Sequence, residues 1–278
     1  MPISPATALC GIVLHPASHT RSPAMHNAAY AALGLDAVFL AFDVPPARLA
    51  EAIAGARALG VRQLAVSIPH KESVLPLLDD VDETARRIGA VNTVTLRDGR
   101  LYGANTDWLG LARALERETE LGGRRAVVLG AGGTARAATF ALRERGARVC
   151  VLNRTTARAE ALARELGADD AGPLEALEKL DYEVLVNTTS VGLASEVSPV
   201  PASVLRQGAV VLDAVYDPPE TRLLKDARAR GARPVSGKWM LVEQAVEQIR
   251  LFCGRTPPAE VLARAFDEAG AAKPRAST

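Results

Sequence analysis

Apolar residues fall into short runs separated by stretches in which they recur every three to four positions, an alternation of strand and helix patterns. Runs at 9–14, 37–44 and 63–68 predict buried strands, with helices predicted between them at 22–33 and 46–59. Ser22 stands where an N-cap belongs, Pro23 at the first helical position and Gly34 at the stop. Helices are next predicted at 70–78 and 82–88, then strands at 91–96 and 101–104 around Asp98-Gly99, a hairpin signal. A helix predicted over 108–121 runs up to Gly122-Gly123. A second series follows: strand 125–129, helix 134–145, strand 148–152, helix 156–166, strands 184–187 and 209–214, helix 220–230 and strand 233–235. Helices at 240–252 and 258–269 close the pattern, and fraying is expected after Ala269. Repeated units of this length predict an α/β fold, with mostly parallel sheets covered by helices.

Composition narrows the function more than the fold. A chain of 278 residues favours two domains, with one large α/β domain as the alternative. Hydrophobic residues at 48% and charged residues at 23% are ordinary globular values. With 33 basic against 32 acidic residues, no net field favours nucleic acid or an anionic membrane, and 4% aromatics argue against base stacking. Lysine occurs only at Lys71, Lys179, Lys225, Lys238 and Lys273; the other basic residues are arginine. That bias suits base composition, yet a lysine in an apolar setting stands out against it. Cys10, Cys150 and Cys253 are scattered and form no CxxC pair, which fits reduced thiols. There is no signal-peptide pattern and no run of about 18 apolar residues, so a cytoplasmic protein without a membrane span is expected. His15, His19, His26 and His70 all lie in the first third, without the converging partners a metal needs, so no metal is expected. No G-x-S-x-G elbow accompanies them.

The strand pattern RAVVL runs into Gly130-Ala131-Gly132-Gly133-Thr134-Ala135, which opens a helix. This is G-x-G-x-x-A in the strand–turn–helix setting of a dinucleotide site. Gly130 permits the tight turn, Gly132 lets backbone approach a pyrophosphate at the helix N-terminus, and Ala135 suits close packing. An NAD site places a carboxylate about 20 residues on. Here the next strand ends in Asn153-Arg154-Thr155, with Arg158 one turn later. Guanidiniums clamp a 2′-phosphate that a carboxylate would repel, so NADP(H) is the expected cofactor. Gly231…Gly237-Lys238 only superficially resembles a P-loop: its spacing is one residue too long, and Trp239 replaces the magnesium-binding hydroxyl.

Polar residues also interrupt the apolar pattern of the first hundred positions. Thr20 and Ser22 flank a helix start, where hydroxyls and free N–H groups bind a carboxylate or simply cap. Lys71 opens a predicted helix, where positive charge is unfavourable. Asn92 breaks the run 89–94, and Asp107 follows Asn105-Thr106 at a strand-to-helix junction. Each of these is ambiguous alone.

As a set, HTRSPAMHN, VSIPHK, GAVNT, GANTD, GAGGTARA, NRTTAR, NTTSVG, DAVYDPP and MLVEQA resemble, in order and approximate spacing, the shikimate dehydrogenase family. The resemblance covers nearly the whole chain. It implies a substrate domain of residues 1–107 plus 237–278 and a Rossmann-type doubly wound NADP domain of residues 108–236. It implies reversible NADPH-dependent reduction of 3-dehydroshikimate to shikimate in chorismate and aromatic amino-acid biosynthesis. By the same resemblance, Thr20 and Ser22 hold the substrate carboxylate with Tyr216 near it, and Ser67, Asn92 and Gln244 bond the ring hydroxyls. Lys71 and Asp107 form the catalytic pair. Gly130, Ala131, Gly132, Gly133 and Thr134 cradle the pyrophosphate; Asn153, Arg154, Thr155 and Arg158 surround the 2′-phosphate and adenine. Ala214 and Gly237 approach the nicotinamide, and Glu83 matches a position sometimes assigned to the cofactor.

Departures from the family pattern bear on substrate choice at Thr20 and Ser67, and on the nicotinamide edge or domain closure at Trp239. Thr20 stands for the usual Ser, Ser67 for Thr, Ala65 for a common Asn, and Trp239 for a frequent Gly. A quinate/shikimate or aminoshikimate dehydrogenase on the same scaffold is the alternative, and an NADP(H)-sensing protein of little activity the second. A sensor needs neither Lys71 nor Asp107. The expected partner is a small molecule, and the expected state a monomer or homodimer.

Overall fold

The computed structural model describes residues 3–18 and 20–271; His19 and the positions after Ala271 lie outside the described residues. In chain order the first elements are β1 (Ala8–Leu14), α1 (Ser22–Leu33), β2 (Ala37–Asp43), α2 (Leu49–Ala58), β3 (Gln63–Val66), β4 (Asp80–Val81), α3 (Glu83–Ile88), β5 (Thr93–Arg97) and β6 (Arg100–Ala104). Next come α4 (Asp107–Glu116), β7 (Arg125–Leu129), α5 (Gly133–Glu144), β8 (Arg148–Leu152), α6 (Thr156–Leu166), β9 (Asp170–Gly172), β10 (Val184–Asn187) and β11 (Val210–Asp213). The last are α7 (Arg222–Ala229), β12 (Arg233–Ser236), α8 (Gly237–Cys253) and α9 (Ala259–Ala271). The chain divides into two compact units, one of Met1–Arg86, Val91–Thr106 and Ala245–Thr278, the other of Arg87–Ala90 and Asp107–Gln244.

In the first unit the sheet runs β2-β1-β3-β5-β6-β4. β1 is parallel to both β2 and β3, whereas β5 is antiparallel to β3 and β6. The β5–β6 turn has Asp98 and Gly99 both at positive φ (50° and 73°), the hairpin turn expected of that pair. One face buries Val13, Leu64, Val66, Val94 and Leu101 against Leu49 and Ile53 of α2.

The second unit carries a wholly parallel sheet in the order β9-β8-β7-β10-β11-β12. This is the doubly wound order, which switches direction between β7 and β10. Its central strands are apolar at almost every position because helices cover both faces. Alternate residues serve opposite cores: Ala126, Val128, Val149, Val151, Val184 and Val186 on one side, Val127, Leu129, Leu152 and Leu185 on the other.

The α/β class and the mostly parallel strand pairing match the pattern-based expectation, the first sheet being mixed around β5, but several local elements do not. Ser22 is not the N-cap of α1. Arg21 holds that position, no side chain bonds the cap, and the Ser22 N–H turns to Thr20 Oγ1 at 3.3 Å. Ser22 already has helical backbone, which leaves its hydroxyl outside the capping position. The helix expected at 70–78 is absent: residues 71–74 form turns and Leu75–Leu77 a short 3-10 helix with Pro76 inside. Proline supplies no N–H to an α-helical ladder. Lys71 therefore opposes no helix macrodipole. The stretch 46–59 splits into a 3-10 turn, Pro46–Arg48, and α2. α4 stops at Glu116, and α8 starts at Gly237, three residues before the expected Met240. The short strands β4 and β9 had no signal of their own.

Candidate active site

Several candidate residues lie just beyond the carboxyl ends of strands, Ser67 after β3, Gly130 after β7, Asn153 after β8 and Ala214 after β11. In the first unit, Ser67 lies just beyond β3 and Asn92 just before β5, whose adjoining ends pair Ala65 with Thr93. Val66 N–H donates to Asn92 O (2.8 Å), Ser67 N–H to Val13 O (3.0 Å) and Val91 N–H to Lys71 O (2.8 Å). The backbone of Lys71 is thereby tied beside the segment that carries Asn92. Asn92 is 2% exposed. Its Oδ1 accepts from Thr106 N–H at 2.7 Å and its Nδ2 donates to Thr106 Oγ1 at 3.0 Å. Ser22 is buried at the start of α1, and the neighbouring Arg21 guanidinium sits 4.3 Å over the Phe266 ring of α9. Glu83 is exposed at the first turn of α3, away from the glycine loop in sequence and in a different unit.

In the second unit the glycine loop leaves β7 at the switch point. Gly130 has φ +114°, and a methyl group on it would meet Thr188 Oγ1 at 2.6 Å, so only glycine fits. Thr188, at the end of β10, donates its hydroxyl to Leu129 O at 2.6 Å. Gly132 is the N-cap of α5 in extended conformation; no side chain caps this helix and no acidic residue lies in its first turn. Its first N–H groups suit an anion. At the end of β8, Asn153 Nδ2 donates to Thr155 O (3.1 Å) and Arg158 reaches Ala131 O of the glycine loop (3.3 Å). Arg154 and Thr155 are exposed. A phosphorylated dinucleotide fits these residues: the loop would hold the pyrophosphate, and the guanidiniums the 2′-phosphate.

Ala214 follows β11, and Gly237 packs under the carbonyls of Asp213 and Ala214, where a side chain has no room. Tyr216 is half-buried in the same loop. α4 and α8 cross where Gly110 meets the Met240 carbonyl and Gln244, within one turn of Asp107. Asp107 and Gln244 are both buried, at 4% and 5% exposure. Trp239 stacks beneath the Arg117 guanidinium at 3.8 Å.

Asp213 and His26 are two of several buried polar residues to which the sequence reading gives no role in the site. Asp213 is 0% exposed. It accepts from Asn187 Nδ2 (2.8 Å), Thr221 Oγ1 (2.6 Å) and Val215 N–H (3.0 Å), and thereby ties the NTTSVG and DAVYDPP segments together. Burial pushes its carboxyl up to about 6, against the pull of those bonds. His26 is 0% exposed, and burial pushes it down to about 4. Motif membership was the only signal for either.

A doubly wound sheet, a glycine loop at its switch point and Arg154 and Arg158 after the second strand define a dinucleotide-binding α/β protein. Known families match along it: the shikimate dehydrogenase substrate binding domain over residues 12–94, shikimate / quinate 5-dehydrogenase over 112–196, and the shikimate 5′-dehydrogenase C-terminal domain over 237–265. The shikimate dehydrogenase (NADP(+)) of Thermococcus kodakarensis is 52% identical over 253 residues, 90% of this chain and 93% of its own. Shikimate 5-dehydrogenase of Thermus thermophilus, solved with NADP(H) and shikimate, superposes with TM-score 0.88 at 40% identity, covering 94% of this chain and 99% of that one. The ligand-free 5-ketofructose reductase of a Gluconobacter strain gives TM-score 0.84 at 36% identity, covering 96% and 100%. The chain belongs to the shikimate dehydrogenase family.

Proposed function

We propose that the protein catalyses the reversible NADPH-dependent reduction of 3-dehydroshikimate to shikimate, a step of aromatic amino-acid and chorismate biosynthesis. One observation supports the substrate class above the others. Ser22, Ser67, Lys71 and Asn92 belong to segments that leave or enter the carboxyl edge of the first unit's parallel strands. Hydroxyls, an amide and an amine suit a small polyol acid. We assign residues 1–107 with 237–278 to substrate and 108–236 to the cofactor, in a cytoplasmic monomer or homodimer.

Bound NADPH supplies the hydride. The chain supplies orientation and proton transfer. Thr20 and Ser22 are assigned to the substrate carboxylate with Tyr216, and Ser67, Asn92 and Gln244 to the ring hydroxyls. Lys71 and Asp107 are assigned to catalysis. In reduction, the Lys71 Nζ ammonium stabilises the oxygen on which negative charge develops and gives it a proton. In oxidation, neutral Nζ takes the hydroxyl proton. Arginine cannot exchange a proton in this way near neutral pH. The glycine loop from Gly130 to Thr134 is assigned to the pyrophosphate, with Asn153, Arg154, Thr155 and Arg158 around the adenosine phosphate. Ala214 and Gly237 are assigned to the nicotinamide side, and Glu83 to a peripheral cofactor contact.

Quinate is the second candidate substrate, because the family matched over residues 112–196 is described by both acids. Absorbance of the reduced nicotinamide, with shikimate and quinate tested against NADP+ and NAD+, decides. Shikimate with NADP+ is expected to turn over fastest. Tight NADP+ binding without shikimate oxidation would overturn the assignment and favour a sensor.

A further inference from the structure

A chain of buried polar side chains runs through the first unit, and no role in the reaction has been given to its central members. Gln248, in the second half of α8, is 2% exposed. Its amide nitrogen donates to Asn92 O and to Thr93 Oγ1, each at 3.0 Å. Thr93 Oγ1 donates in turn to Asn92 Oδ1 at 2.9 Å. The carboxamide oxygen of Gln248 faces His26 Nε2 at 3.2 Å, and Ser22 O faces His26 Nδ1 at 2.9 Å. The neutral ring carries one proton and donates it to one of these two oxygens. The main chain of Gln248 is pinned as well, since Gln63 Nε2 donates to its carbonyl at 2.8 Å.

We propose that Gln248 is a positioning residue for substrate binding, holding Asn92 directly and Ser22 through His26. The inference rests on the functional reading above. A buried carboxamide is unfavourable unless its groups are bonded, and an apolar residue would fill the same space without that demand. Both amide hydrogens of Gln248 have oxygen partners, and its oxygen is directed at the imidazole, so the group is fixed in rotation. The imidazole is fixed too: it stacks on Phe39 at 3.9 Å and 16°. Phe39 is held at both its N–H and its carbonyl by the Asn27 carboxamide, at 2.9 Å each. Rigid support of this kind keeps binding groups in place before the ligand arrives, and displacements near 1 Å can lower rates about a hundredfold. All members of the chain lie in the first unit and none in the glycine loop.

The test is Gln248→Met, which keeps length and removes the hydrogen bonds, beside His26→Phe and the double variant. KM is measured for shikimate and for NADP+, with thermal midpoint and circular dichroism as folding controls. For Gln248→Met, KM for shikimate is expected to rise about tenfold to a hundredfold, with KM for NADP+ unchanged within about twofold. His26→Phe should act in the same direction, and the double variant should fall short of the product of the two. Unchanged KM for shikimate in folded Gln248→Met overturns the proposal. So does an equal rise in both constants, or variants that unfold even under saturating shikimate, since these mark a purely structural role. An inactive wild-type protein would instead overturn the functional assignment.

Discussion

Lys71 is the position where the arginine bias of the chain is broken most tellingly. It precedes Val74, which is fully buried, and its carbonyl accepts the N–H of Val91, one residue from Asn92. Lys71→Ala is expected to lower kcat by roughly 10²–10⁴ with a modest change in KM, the scale of a lost acid–base group. Lys71→Arg should not restore turnover, because a guanidinium keeps its proton; near-native turnover of that variant in the steady-state assay would rule out proton transfer. Residues such as Lys71, Ser22 and Asn92 were readable because polar atoms interrupt apolar runs there. Gln248 was not. The motif reading stops at Gln244 and assigns nothing four residues further along the same helix face, where positions 244–249 are all buried. Long-range partners such as Asn92, 156 positions away, leave no local trace.

At the scale of elements, the clearest prediction belongs to the β8–α6 junction. No acidic residue lies in the first turn of α6, while Arg154 and Arg158 crowd its start. Such an arrangement is unfavourable against the helix macrodipole until an anion arrives. Arg154→Ala should weaken NADP+ binding about tenfold or more and NAD+ little, measured as dissociation constants by titration. Equal losses for both would remove Arg154 from the 2′-phosphate. The strands of this unit were readable since burial on both faces makes them near-continuous apolar runs. The segment 70–78 was misread for a related reason. Its apolar spacing suits a helix, but Pro76 removes a donor and leaves only single-turn structure around Val74.

For the whole molecule, buried His26 and buried Asp213 oppose each other in their effect on stability. His26 has a folded value of about 4, below its ordinary 6.5, so the unfolded chain binds more protons between those limits. Its contribution is complete above about pH 6.5 and is lost as pH falls toward 4. Asp213, at about 6 against an ordinary 3.8, does the reverse: its contribution is complete below about 3.8 and is lost as pH rises through about 6. Asp213→Asn removes only the second effect. The stability of the variant relative to wild type, followed through the thermal midpoint, should therefore climb from pH 4 to pH 6 and level off above, by on the order of 3 kcal/mol at most. A flat difference across that range would show that Asp213 is ionised throughout.

α8 is one continuous helix whose first half belongs to one unit and whose second half completes the other. That shared ownership bears on how the chain can be made. The unit that carries the glycine loop is closed once residue 244 has been synthesised, although its sequence begins only at residue 87. The other unit begins near the first residue, yet it lacks Gln248, Ile249 and all of α9 until nearly the end of translation. The part of the protein that is made first is thus the last to be able to fill its interior. A truncation or stall before residue 245 would leave a finished glycine-loop unit attached to an unfinished partner.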